Sequence, residues 1–234
     1  MNALNPALIS ALAEELRVSI PRAGALVLSG APGRFSGGLD LPELLALSPT
    51  ALRALWSTFF GLMRTIATSP IPIVAALTGH SPAGGTVLAV FTDYRIMADG
   101  AYKVGLNEVT VGLALPEVLM RGLVYLVGTR QAERLAVGGL LLAPAEAREV
   151  GLVDEVVPLP EVVPRALAWA ADLLTRPPVA MAATRKLARR PLADAFAALE
   201  DSTLDALVTA WSSPETQAVL HATAARLGKS ARRA

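Results

Sequence analysis

Apolar positions recur along this chain in two different periods, and the switches between them mark its elements. Leu8, Ile9, Leu12 and Leu16 share one face of a helix that Asn5 caps and Pro6 opens, and this helix is expected to pack on a sheet. Ala25 to Ser29 reads as a strand. Ser48-Pro49 starts a second helix, in which Leu52, Leu55, Trp56, Phe59, Met63 and Ile66 repeat at helical spacing before Pro70. Ile71, Ile73, Val74, Ala75, Ala76 and Leu77 form a short run suited to a buried strand. Thr78, Gly79 and His80 are read as its turn, and Ala83-Gly84-Gly85 opens a helical run from Thr86 to Phe91. Tyr94 to Ala98 is a third strand. Glu117 to Val127 reads as a helix stopped by Gly128, with Thr129 capping the next, and Pro144 to Val150 as a short helix feeding a strand from Leu152 to Val157. From Glu161 onward the pattern is wholly helical, divided at Pro177-Pro178, Pro191 and Ser213-Pro214. Strands alternating with helices, then helices alone, predict an α/β core over residues 1–160 and a C-terminal helical region over 161–234.

Composition narrows the possible chemistry. The 234 residues are 53% hydrophobic and 18% charged, apolar enough to predict surface buried in an oligomer. A net charge of +1 carries no electrostatic footprint for nucleic acid. With no cysteine and only His80 and His221 as histidines, thiol chemistry and a histidine-built metal centre are excluded, so no metal site is expected. Thr65 to Thr92 contains no Asp, Glu, Lys or Arg, but Pro70, Pro72, Pro82 and the glycines break it too often for a membrane-spanning helix. Glu14, Glu15 and Arg17 lie in an amphipathic pattern rather than a signal sequence, and a cytoplasmic protein is expected.

The strand, glycine turn and helix around Gly84 leave two readings open. Free N–H groups at a helix start can hold an anion or a developing oxyanion. Alternatively, the glycines simply let helix and strand pack closely. A second glycine-rich turn, Arg34-Phe35-Ser36-Gly37-Gly38-Leu39-Asp40-Leu41, follows the first strand, and Gly105-Leu106-Asn107-Glu108 sets a carboxylate among apolar neighbours. Gly79-His80-Ser81-Pro82-Ala83 has the look of a nucleophile elbow, with His221 as a late histidine. Pro82 argues against it, because the residue after the nucleophile must supply an N–H.

Five segments, in order, resemble the crotonase superfamily, the enoyl-CoA hydratases and isomerases. They are Phe35 to Leu41, Pro82 to Gly85, Asp93 to Asp99, Gly105 to Glu108, and Ala147 to Pro158, and the likeness runs roughly from Ala25 to Pro160. The resemblance implies a spiral of ββα units with C-terminal helices that build a homotrimer or hexamer. It implies an acyl-CoA thioester as substrate, with coenzyme A part of that substrate and no separate cofactor. The implied catalytic groups are the backbone N–H groups of Leu39 and Gly84, which stabilise a thioester enolate, and the Glu108 carboxylate, which moves the proton. Ser36, Gly37, Ala83 and Gly85 are implied to lie against the substrate. Glu117, after Pro116, is either a second acid lining the pocket or a surface residue.

Hydratases of this family carry a second Glu three residues after the oxyanion glycine, where this chain has Val87. The combination looks most like the 3,2-enoyl-CoA isomerases of fatty-acid oxidation, which move a double bond with one base. The alternatives are an enoyl-CoA hydratase or a noncatalytic acyl-CoA-binding homologue. Relatives place two strands before an N-A-L segment, and here Met1-Asn2-Ala3-Leu4 occupies it. The expectation is therefore either a sheet short of its first strands or a start that is not the natural one. Asp93 and Asp99 are expected to be structural, and Arg226, Lys229, Arg232 and Arg233 a solvated tail rather than a grip on coenzyme A phosphates.

Overall fold

The computed structural model describes residues 2–231, with residues 227–231 described by backbone alone. The strands are β1 (Leu26–Ser29), β2 (Gly33–Arg34), β3 (Ile73–Leu77), β4 (Gly79–Pro82), β5 (Tyr94–Ala98), β6 (Val104–Gly105) and β7 (Glu155–Val157). The helices are α1 (Pro6–Ser19), α2 (Leu41–Leu44), α3 (Pro49–Thr68), α4 (Gly84–Val90), α5 (Glu117–Gly138), α6 (Pro144–Glu149), α7 (Val162–Leu173), α8 (Pro178–Ala188), α9 (Arg190–Ala197), α10 (Asp201–Trp211) and α11 (Pro214–Ala231). Among the described residues, no helix is long and apolar enough to cross a membrane.

Two parallel sheets organise the chain, one ordered β1-β3-β5-β7 and the other β2-β4-β6. Consecutive strands alternate between them. Parallel neighbours need a crossover, and here each crossover passes through the second sheet and a helix before returning: β1-β2-α3, β3-β4-α4, β5-β6-α5. The result is the α/β core followed by helices that the pattern predicts, wound as the spiral of ββα units that the resemblance implies.

Residue alternation explains how the larger sheet is buried on both faces. On β3, Val74 and Ala76 join Ile96, Ala98, Val162, Ala166 and Ala170 in a cluster beneath α7. Ile73, Ala75 and Leu77 point the other way, into the main core with α3, α4 and α5. That core also takes Phe196 of α9, Leu204 and Trp211 of α10 and Leu220 of α11, so the C-terminal helices share it.

The structure corrects two expectations here. Gly79 and His80 do not turn the chain out of β3 but belong to β4, paired with Gly33 and Arg34. At Gly79 φ is 154°, and a Cβ there would lie 1.9 Å from the Gly33 carbonyl carbon, so only glycine permits this close approach. Helix α1 packs along α3 rather than on the sheet, burying Ile9 and Leu16 there. α7 already covers one sheet face, and the core that includes α3 covers the other. The stop at Gly128 is a break within α5, where φ 75° and ψ 163° leave helical geometry before the helix resumes.

Asp93 pins the strands to the outer helices, and Arg95 ties β5 to the segment that leads into β7. Asp93 accepts from the Ile73 amide at 2.8 Å and from the Arg185 guanidinium at 2.6 and 2.8 Å, with Arg189 3.3 Å away. Arg189, buried, also donates to the carbonyls of Ala67, Phe91 and Thr92, where α3 and α4 end. Arg95 pairs with Asp154 at 2.7 Å. Asp99 accepts the Gly100 amide. No group of metal-ligating side chains exists among the described residues. Arg226 is exposed and donates to Thr223, while the Lys229 side chain, Arg232 and Arg233 lie outside the described residues.

Removing Asp93 would strand two guanidinium groups at the N-terminal ends of β3 and β5. Asp93→Ala is expected to lower unfolding free energy by about 3–5 kcal/mol, read by chemical denaturation.

Candidate active site

Two backbone N–H groups are left without partners where the two glycine turns meet. Leu4 and Leu39 form an isolated parallel bridge in which the Leu4 amide donates to Gly38 at 2.7 Å and the Asp40 amide donates to Leu4 at 3.1 Å. In such a bridge the central residue's own N–H faces away from its partner strand. Leu39 therefore presents its N–H to the opposite side, where Gly84 lies. A Cβ on Gly84 would be 3.5 Å from the Leu39 nitrogen, and one on Gly38 would be 3.6 Å from the Gly84 nitrogen. Among the described residues, neither the Leu39 nor the Gly84 N–H has a hydrogen-bond partner.

Each turn has its own means of holding that geometry. Ser36, buried, donates to the Asn2 carbonyl at 2.8 Å and accepts from the Gly38 amide at 3.2 Å. The Phe35 and Ser36 amides both donate to the His80 carbonyl. In the second turn, Ala83 adopts φ 47° and ψ −119°, values of the first central residue of a type II′ turn that normally falls to glycine. This costs a residue with a Cβ on the order of 1–3 kcal/mol, and its ψ sets the direction of the peptide that carries the Gly84 N–H. Gly84 sits tightly against its neighbours: a Cβ there would lie 2.9 Å from the tip of the Leu4 side chain, which would have to move. Close packing and a free amide, the two readings left open by the sequence, thus coexist at one residue.

Glu108 opens a short turn of 3-10 helix, Glu108–Val111, a few residues past β6. Its Oε2 is buried and has no hydrogen-bond partner. Burial is the main cause that raises its pKa, from 4.5 to about 7, only partly offset by a hydrogen bond from its own backbone. A carboxyl so placed changes protonation state near neutral pH, as proton transfer to and from carbon requires.

These groups converge on one apolar cavity of about 40 Å³. Leu39, Gly84, Val87 and Glu108 line it together with the rings of Trp56, Phe59 and Phe60. The helical stripe on α3 therefore serves as pocket wall as well as core. Glu108 is the sole carboxylate among the residues that line this cavity. A wider hollow of about 290 Å³ adjoins it, sharing Glu108 and Ala114. A separate cavity of about 460 Å³ beside Arg185 and Lys186 shares no lining residue with either.

Not every expected residue reaches the site. Ser36, Ala83 and Gly85 shape the turns but do not line the cavity, and Gly37 is exposed. Of the two readings of Glu117, a second acid lining the pocket or a surface residue, its position fits the second. It begins α5 with its side chain in solvent, held 2.5 Å from Arg121 one helical turn on, and does not line Glu108's cavity, although Pro116 beside it does. At the N-terminal end of a helix, a carboxylate is stabilised where it stands by the macrodipole. His80 is exposed, with Nδ1 accepting the Lys103 amide. Ser81 is fully buried, its Oγ 2.9 Å from where a Gly85 Cβ would be, which closes it to any substrate and removes the nucleophile elbow. Leu207, on α10, lines the cavity although nothing in its helical pattern pointed there.

Comparison with known proteins identifies the family. The family described as Enoyl-CoA hydratase/isomerase matches residues 1–222. The mitochondrial enoyl-CoA delta isomerase 1 of Rattus norvegicus is 40% identical over 172 residues, 73% of this chain and 60% of that protein, so the chain spans under two thirds of this relative's length. The crystal structure of human mitochondrial delta3-delta2-enoyl-CoA isomerase superposes with a TM-score of 0.93 at 33% identity, covering 98% of this chain and 91% of that one. An enoyl-CoA hydratase from Mycobacterium ulcerans gives 0.81 at 27% identity, covering 90% and 91%. With the motifs, the spiral and these likenesses in agreement, the chain belongs to the enoyl-CoA hydratase/isomerase family.

Proposed function

We propose that the protein is a 3,2-enoyl-CoA isomerase of fatty-acid oxidation, converting 3-enoyl-CoA to trans-2-enoyl-CoA. The observation that carries this reading is a lone carboxylate, buried and unpaired, on the same cavity as two unpartnered backbone N–H groups. The thioester oxygen accepts from the Leu39 and Gly84 N–H groups. Glu108 takes a proton from C2, the electrons spread through a dienolate onto that oxygen, and Glu108 returns the proton to C4. Each donor to such an oxyanion contributes about 3 kcal/mol to lowering the barrier. Hydration would require a water held between two carboxylates, and Val87 stands where the second would project. Coenzyme A enters as part of the substrate, and the reaction needs no separate cofactor.

The proposal includes the cytoplasmic location expected from the sequence, although the mammalian relatives are mitochondrial. It also includes a homotrimer or hexamer. Helix α8 buries no residue, and Val179 and Leu187 are 83% and 68% exposed, apolar surface that a further copy would cover.

Glu108→Gln is expected to lower isomerisation of 3-hexenoyl-CoA by at least about 10²-fold while hexanoyl-CoA still binds in calorimetry; undiminished turnover would reject Glu108 as the base. Efficient hydration of crotonyl-CoA without any shift of 3-hexenoyl-CoA would assign the hydratase activity instead, and binding without either reaction would assign the noncatalytic alternative.

The base must be ionised, so kcat/KM should rise with pH through a midpoint at about 7 and level off above it. The same shift governs stability. The unfolded glutamate ionises near 4.5 and the folded one near 7, so the unfolded state loses its proton first and stability falls as pH rises between them. Denaturation at pH 5 and pH 8 should show that slope in the parent and less of it in Glu108→Gln.

A further inference from the structure

We infer that Thr86 is a positioning residue whose hydroxyl fixes the Gly84 N–H relative to the Glu108 carboxylate, acting through the backbone of Gly105. The inference rests on the isomerase reading above. Thr86 is the third residue of α4 and is 1% exposed. Its Oγ1 donates to the Ser81 carbonyl of β4 and accepts from the Gly105 amide of β6 at 2.8 Å. The Gly105 carbonyl in turn accepts from the Ala83 amide at 2.8 Å. Both backbone polar groups of Gly105 are thus held by the cap and first turn of the helix that carries the Gly84 N–H.

The consequence reaches the base directly. Glu108 lies three residues beyond Gly105, joined to it by buried Leu106 and by Asn107. The oxyanion donor lies between Ala83 and Thr86, the two residues that grip Gly105. One hydroxyl on the seam between β4 and β6 therefore couples the donor to the acid. Without it the Gly105 N–H loses a buried partner, and the segment leading to Glu108 is free to shift relative to the turn. A group that only stabilised the fold would lower the melting temperature and leave turnover of the folded protein alone. A positioning group sets how well the proton donor and acceptor meet in the transition state, which appears in kcat rather than KM.

The test compares Thr86→Val, which keeps the shape and loses the hydroxyl, with Thr86→Ser, which keeps the hydroxyl. Each is assayed with 3-hexenoyl-CoA well below its melting temperature. Thr86→Val should lose at least about tenfold in kcat, with KM within about threefold of the parent and a displaced pH midpoint. Thr86→Ser should recover most of the loss. If Thr86→Val does not fold, Thr86→Ala set against Thr86→Ser reads the same difference. A folded Thr86→Val with parental kcat overturns the inference, as does a Thr86→Ser as slow as the valine variant. A parent protein that does not isomerise 3-hexenoyl-CoA overturns the isomerase reading itself, and the role of Thr86 falls with it.

Discussion

Backbone amides inside a folded protein are nearly always paired, and those of Leu39 and Gly84 have no partner among the described residues. The surrounding hydrogen bonds account for this. Leu4 takes the carbonyl before Leu39 and the amide after it, leaving the amide of Leu39 itself unused. Ala83 holds a backbone conformation suited to glycine, and this directs the next peptide away from the helix it begins. Two turns from different ββα units therefore meet with donors that nothing else among the described residues consumes. The spiral brings them together because β2 and β4, which lead into these turns, are neighbours in the smaller sheet.

The third group is held by the opposite device. The donors are unpaired because neighbouring atoms are already engaged, whereas the Glu108 Oε2 is unpaired because its surroundings, among them Leu39, Phe59 and Leu113, are apolar. Excluding water raises the carboxyl's proton affinity, and the same exclusion strengthens any charge-dipole contact made at the amides. A single apolar wall, largely the aromatic face of α3, thus acts on both halves of the chemistry.

Much of this was legible in the sequence, for reasons that differ by element. β5 falls at Tyr94–Ala98 as read, and α3 occupies its predicted stretch up to Thr68, because long apolar stripes and uninterrupted apolar runs report burial directly. The strands β2, β4 and β6 escaped notice because they are two to four residues of Gly, Arg, His, Ser, Pro and Val, defined by backbone pairing rather than by side-chain alternation. The motifs located Leu39, Gly84 and Glu108 but could not report orientation, and so Glu117 could not be told from a cavity residue. Its neighbour Arg121, four positions on, was the available sign of a solvent-facing pair. Nothing in the one-dimensional pattern distinguishes Thr86 from any other threonine in an apolar helix, since its two partners come from separate strands.

The placement of α7 bears on how the molecule is made. The sheet face bearing Val74, Ala76, Ile96 and Ala98 is covered by residues from Val162 to Ala170, which leave the ribosome only after all but the final helices have been translated. Through most of synthesis the nascent chain therefore carries an uncovered apolar face at its centre. That interval gives chaperones a surface to bind, until a helix that takes no part in the chemistry arrives to cover it.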